Sequence, residues 1–362
     1  MLEELSAKVR SGEINPVDLV NESLRRIEAA SSLNAVVATF ADEARALAAS
    51  HPRTGALAGL PFLVKDMARV QGHVTTSGSS LYANGLPDEV DDSVVSRLRE
   101  AGAIIIGRTN SPEFGATAFT SNKVYGATRN PWNTEKSPGG SSGGSAAALA
   151  AALAPIATTS DGGGSVRGPA SSSGLVGYKP SMGAIGRNVL PRWIDFSTQG
   201  TSGHSVADVV YEAAITHGPA NGDFLGLPAK SIALNPVMPR RVLACRTFRT
   251  DVDPDIEANY ESMIDALVAS GVTVERVASP SDNCLGAYAL ALLSLAVTLP
   301  WGLGPVMQNL ALALLAVHVL EAIVAYKHIK TYKGPLWHSL LLALLFGLLH
   351  WLPLARAAKA KA

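Results

Sequence analysis

Between Leu285 and Leu320 the chain carries no Asp, Glu, Lys or Arg in 36 residues, and between Gly334 and Ala355 none in 22. A helix needs charge-free runs of about this length to cross the roughly 30 Å apolar core of a bilayer. From Leu285 onward, 22 of 78 residues are Leu, with six basic residues against the single acidic Glu321. The first 284 residues carry 24 basic and 29 acidic residues, so the balanced total of 30 and 30 conceals −5 ahead of the break and +5 behind it. The pattern divides the chain into residues 1–283 and 284–362. It predicts three apolar spans in the second part, at about 285–303, 307–326 and 336–355. Pro300, Gly302, Gly304 and Pro305 break the first from the second, and Lys327, Lys330, Lys333, Gly334 and Pro335 break the second from the third. Trp301, Tyr326, Tyr332, Trp337 and Trp351 fall near the span ends, where amphipathic rings favour the membrane interface. A buried helical hairpin is the alternative. The polar start MLEELSAKVRSGE carries no apolar run, so no secretory leader is expected, and the lysine-rich loop lies on the same side as residues 1–283 in a three-span parse. The expected location is therefore the membrane, with residues 1–283 facing the cytoplasm.

Residues 1–283 read as alternating α/β. Asn15-Pro16 is an N-cap followed by Pro at the first helical position, with Leu19, Val20, Leu24 and Ile27 at helical spacing. Leu60–Val64 is a continuous apolar run, read as a buried strand that ends in Lys65 and Asp66. Asp92, a helix over Val94–Glu100, Gly102 and then Ile104–Ile106 form a helix–strand unit of the kind found around parallel sheets. Asp255–Ala269, Gly271 and Val272–Val277 form another, and Pro155–Thr159 is a further short strand. The balanced charge argues against nucleic acid as a partner held by bulk charge. Cys245 and Cys284 alone build neither a disulfide framework nor a four-ligand zinc site, and no metal or cofactor is expected.

The chemistry is concentrated in two glycine- and serine-rich segments, Gly139–Ser145 and Asp161–Ala170. Both are joined to apolar helix and strand patterns, unlike flexible linkers. Clustered glycines before a serine let backbone N–H groups converge, as an oxyanion site requires. Neither a nucleotide P-loop nor a dinucleotide fingerprint is present. Gly139–Gly143 matches the G-x-S-x-G pattern of α/β-hydrolases, for which His204 or His217 would supply the base.

Taken with Leu60–Asp66, Gly107–Phe114 and Asn130–Asn133, these segments resemble the amidase signature family over about residues 5–281. The resemblance implies a mixed sheet flanked by helices and an amide hydrolase acting on a small-molecule amide through an acyl-enzyme. In its terms Ser165 is the nucleophile, Ser141 the bridging serine held by a cis peptide bond, and Lys65 the base. Gly162, Gly163 and Gly164, with the N–H of Ser165, form the oxyanion hole. The family usually continues well past residue 284, so the domain is expected to be C-terminally truncated and membrane-anchored by its tail. A catalytically silent fusion or a chimeric gene model, its tail a membrane interaction module, is the alternative. Gly162, Gly168, Gly200-Thr201 and His204 depart from the residues the family usually carries. The tail's His318-Val319-Leu320-Glu321 is similar to small multi-span membrane proteins.

Overall fold

The computed structural model describes residues 1–188, 197–223, 226–227, 237–245 and 252–277. The three apolar stretches and the boundary at 283/284 lie outside these residues. Among the described residues, no helix is long and apolar enough to cross a membrane. The chain separates into two compact units, Met1–Pro236 and Val237–Ala362.

The first unit begins with helices α1 (Leu2–Ser11) and α2 (Pro16–Ala29), strand β1 (Val36–Thr39) and helix α3 (Ala41–Ala49). Strand β2 (Pro61–Lys65), helix α4 (Ser93–Glu100) and strand β3 (Ile104–Thr109) follow. After the short hairpin of β4 (Ser121–Asn122) and β5 (Gly126–Ala127) come α5 (Gly143–Ala150), β6 (Ile156–Ala157) and β7 (Thr159–Asp161). The unit continues through α6 (Arg167–Ser172), β8 (Val176–Tyr178), β9 (Thr198–Gly203) and α7 (Val206–Thr216). Asn15 caps α2 as its sequence predicts, its side chain accepting from Val17 N–H at 3.1 Å; such a cap contributes about 1 kcal/mol.

A four-stranded mixed sheet runs β1-β3-β2-β6, with β2 parallel to both neighbours and β1 antiparallel to β3. Every residue of β2 and β3 is buried. Their apolar runs are continuous because both faces of the sheet are covered. Leu63, Ile104 and Ile106 pack into a core with α2, α3 and α5, whereas Phe62, Val64 and Ile105 pack into a second core with α1 and α4. Truncating a buried aromatic such as Phe62 to Ala typically costs about 3–5 kcal/mol.

The stretch predicted as one strand over Pro155–Thr159 is two. Ile156 and Ala157 pair with β2, while Thr159–Asp161 pair antiparallel with β9 in a separate sheet ordered β7-β9-β8. The chain changes sheets at Thr158, whose N–H still reaches Leu63 O at 2.9 Å. This crossing carries Ser160 and Asp161 past the end of β2.

In the second unit, β10 (Arg241–Cys245) and β11 (Thr273–Val277) pair in parallel, joined through α8 (Pro254–Ala269). Asp253 caps α8, accepting from Asp255 N–H, and Gly271 turns the chain at φ 84°. This is the helix–strand unit expected from the sequence.

Candidate active site

Alternation along β2 decides where Lys65 points. It shares a face with Leu63, toward α5, while Val64 faces the other core. The side chain is buried, 2% exposed, with Nζ 2.8 Å from Ser141 Oγ, 2.9 Å from Ser142 Oγ and 3.0 Å from Ser160 Oγ. Burial pushes the Lys65 amine down to about 7, against an opposing pull from the Asp161 carboxylate. Desolvation disfavours the charged form of an amine, so a dry lysine is poised to exchange a proton near neutrality.

Ser141 and Ser142 sit at the start of α5, which is apolar around its circumference and buried. Small residues are needed there because the backbone passes close to its neighbours. A Cβ on Gly144 would stand 2.4 Å from both N and O of Asn110, and one on Gly140 would stand 2.7 Å from Phe119 N and Thr117 O. The Gly140–Ser141 peptide is cis, as the family resemblance implies. The two serine segments are tied together by Ser142 N–H donating to Ser165 O at 3.2 Å.

The second segment wraps around the buried Asp161 carboxylate. It accepts from Gly164 N–H at 2.7 Å, Val166 N–H at 3.1 Å, and Arg167 Nε and Nη2, each at 2.9 Å. Burial alone would raise the Asp161 carboxyl, but the Arg167 fork and the two amides outweigh it and hold the group at about 2. The amide of Gly164 is therefore directed at Asp161, whereas the resemblance puts it among the oxyanion donors. Among the described residues, the amides of Gly162, Gly163 and Ser165 take no acceptor. Gly164 has φ 120°, a conformation that excludes most side chains.

A cavity of about 530 Å³ opens over these groups. Its wall includes Met67, Gly115–Ala118, Ser141, Ser160 and the whole of Gly162–Ser165. The structure thus brings Lys65 and Ser141 into direct contact and places Ser165 in the same wall. Among the described residues, the Ser165 hydroxyl takes no hydrogen-bond partner. The two histidines of the α/β-hydrolase alternative lie elsewhere. His204 bonds Leu149 O at 2.9 Å, His217 bonds Ala213 O and stacks on Tyr178, and neither lines this cavity. Sequence reasoning missed Ser142 and Ser160 as partners of Lys65. Ser142 stands beside a serine already chosen by spacing, and Ser160 reaches the lysine only because the chain changes sheets at Thr158. It also missed Asp161 as the hub of its turn, although a carboxylate opening a glycine run is a signal for that role.

Comparison with known proteins identifies the family. A protein-family model described as amidase matches residues 18–299. The chain belongs to the amidase family. The match reaches past the break at residue 284, so family-like sequence extends into the first apolar stretch. The A subunit of glutamyl-tRNA(Gln) amidotransferase from Synechococcus sp. (strain CC9605) is 36% identical over 292 residues, covering 76% of this amidase-family chain and 59% of the relative. Its counterpart from Mycobacterium bovis is 36% identical over 80% of this chain and 63% of its own length. The chain therefore spans about six-tenths of the length of the curated relatives it matches. Among solved structures, 6-aminohexanoate cyclic dimer hydrolase complexed with substrate superposes with a TM-score of 0.72 at 32% identity, covering 81% of this chain and 64% of that one. The peptide amidase from Stenotrophomonas maltophilia gives 0.69 at 29% identity, with the same coverage.

Proposed function

We propose that this amidase-family chain hydrolyses carboxylic amides through an acyl-enzyme on Ser165. The observation carrying this reading is the dry amine at the end of β2, 2.8 Å from Ser141 in a wall shared with Ser165. A serine hydroxyl is a weak nucleophile near neutrality and needs an adjacent base. In the reading, neutral Lys65 Nζ takes the Ser141 proton while Ser141 Oγ takes the proton of Ser165 Oγ. Ser165 Oγ bonds the amide carbon, and the carbonyl π pair moves onto oxygen, where the amides of Gly162, Gly163 and Ser165 donate to it. Collapse breaks the C–N bond, and the proton returns through Ser141 to the departing amine. Water then attacks the acyl ester, the relay takes its proton, and the carboxylic acid leaves with Ser165 restored. The substrate is a small-molecule amide, and esters pass through the same tetrahedral intermediate. The relatives' names, which include an amidotransferase, an amidase and a hydrolase, support chemistry at an amide. A substrate screen over amides, esters, phosphoesters and glycosides tests the bond type. Turnover of amides is expected, and turnover confined to phosphoesters or glycosides would overturn the reading.

The same reading anchors the chain in a bilayer through residues 285–355, with residues 1–283 on the cytoplasmic side. Added protease then spares residues 1–283 in sealed right-side-out vesicles, and digestion of that part rejects the orientation. A catalytically silent domain, its tail a membrane interaction module, is the second reading. It is favoured by the Ser165 hydroxyl, which takes no hydrogen-bond partner among the described residues. Folded protein that takes no serine-directed probe selects it.

A further inference from the structure

Asp66 is the first residue beyond β2, where the chain turns, and its N–H still donates to Thr109 O at 3.0 Å. It is fully buried but lines no part of the cavity. Its carboxylate accepts from Thr76 N–H at 3.0 Å, from the Thr76 hydroxyl, and from Gly78 N–H at 3.2 Å. The buried Arg108 guanidinium stands 3.9 Å away and donates to Ala68 O at 2.9 Å and Thr75 Oγ1 at 2.8 Å, with Asp88 behind it at 3.6 Å. Among the described residues, the charged or titratable groups facing Asp66 are Arg108 and Tyr125, and the one facing Lys65 is Asp161.

The loop held by this carboxylate reaches the cavity. Ser77 O accepts Phe114 N–H at 2.8 Å, and Gly78 packs so close to Ser111 that a Cβ there would stand 2.7 Å from the Ser111 carbonyl oxygen. Phe114 and Gly115 then turn at φ 53° and 71°. Gly115 and Met67 both line the cavity, and a Cβ on Gly115 would stand 2.8 Å from Met67 Cε and 3.2 Å from Ser141 Oγ. The loop's first end, at Met67, thus meets Gly115 beside Ser141, and its second end, at Ser77 and Gly78, holds the segment that carries Gly115. At its first end, Ala68 N–H closes the turn onto Lys65 O at 3.0 Å.

We propose that Asp66 is a positioning residue: with Arg108 it fixes the turn at which Lys65 leaves β2 and the Met67–Gly115 wall beside Ser141. The inference rests on the hydrolytic reading of Lys65, Ser141 and Ser165. A merely structural carboxylate changes how many molecules are folded. A positioning carboxylate changes the rate at each folded site.

The experiment labels the full chain with a fluorophosphonate probe across a pH series, with the folded fraction followed by circular dichroism. Asp66→Asn keeps the volume but loses the charge and presents a donor where Thr76 and Gly78 also donate. It is expected to reach the parent's final stoichiometry with a per-site rate about 10²-fold lower, the scale set by small misplacements of reacting groups. Its acid limb moves to higher pH, because a loosened socket admits water and returns the Lys65 amine toward the ordinary lysine range. Thr76→Val removes one donor to the carboxylate and keeps the shape. It is expected to shift rate and limb in the same direction by less, and it decides the matter if Asp66→Asn does not fold. Unchanged per-site rate and limb in the folded variants would overturn the inference. Failure of the parent to label Ser165 would overturn the hydrolytic reading itself, and the inference with it.

Discussion

Two fully buried aspartates flank the candidate base, and their carboxyl groups shift in opposite directions. Burial raises both. At Asp161, two Arg167 nitrogens at 2.9 Å and two backbone amides reverse the effect and hold the group at about 2. At Asp66, the donors from Thr76 and Gly78 and a guanidinium at 3.9 Å fall short, so the carboxyl stays above its ordinary value. Hydrogen-bond reach to the guanidinium separates the two, since a bidentate charge-assisted pair is much stronger than a nearby cation. Arg167 is 53% exposed and Arg108 2%. The Asp161 turn, which carries Ser165, is thus closed from the solvent side, and the Asp66 turn, which follows Lys65, from within the core.

The comparison breaks first at the residue the Asp161 turn carries. Ser165→Ala is expected to abolish probe labelling and acyl-enzyme formation, read by intact-protein mass. Next comes the residue between the two carboxylates. Lys65→Met is expected to slow labelling by about 10²–10⁴-fold, the usual scale of a lost general base, and Ser141→Ala to retain slow acylation. Lys65→Met also raises stability. With a folded value of about 7 against 10.5, the unfolded state binds the extra proton, so the parent loses stability as pH falls from about 10.5 toward 7. Each unit of depression is worth about 1.4 kcal/mol. Urea unfolding should show the variant more stable at pH 7, with the gap narrowing toward pH 10. An unchanging gap would mean that Lys65 is not held neutral.

Smaller effects sharpen the contrast. Arg167→Gln leaves the Asp161 carboxylate without its fork, and the freer negative charge favours protonated Lys65. The acid limb of the labelling rate should therefore move to higher pH. An unmoved limb would separate the Asp161 turn from the base. The smallest effect concerns acid stability. Asp161, depressed from 3.8 to about 2, contributes stability above about pH 4 that is lost as pH falls through 2. Asp161→Asn should flatten the difference in unfolding free energy over that window, whereas Asp66→Asn should not.

Much of this arrangement was legible in the sequence because it is local. The apolar run Leu60–Val64 marks a strand buried on both faces, and Lys65 falls where that strand ends. Asn15-Pro16 and Gly271 mark helix boundaries through backbone chemistry that needs no tertiary context. Pro155–Thr159 was read as one strand because nothing in it announces a change of partner. The switch at Thr158 comes from pairing with β9, about 40 residues later. The Asp66–Arg108 network was equally hidden, since its donors come from residues 76, 78 and 108 through loop geometry that no periodicity encodes. Gly139–Gly143 matched a short pattern for which His204 and His217, downstream, could only formally supply a base, and both histidines turn toward backbone carbonyls.

The central claim is that the nucleophile belongs to the Asp161 turn. The most direct test is mass spectrometry of the peptide labelled by a fluorophosphonate probe in the folded full-length chain. The account predicts one adduct, on Ser165. An adduct on Ser141 or Ser142, within the 139–145 segment, would contradict it.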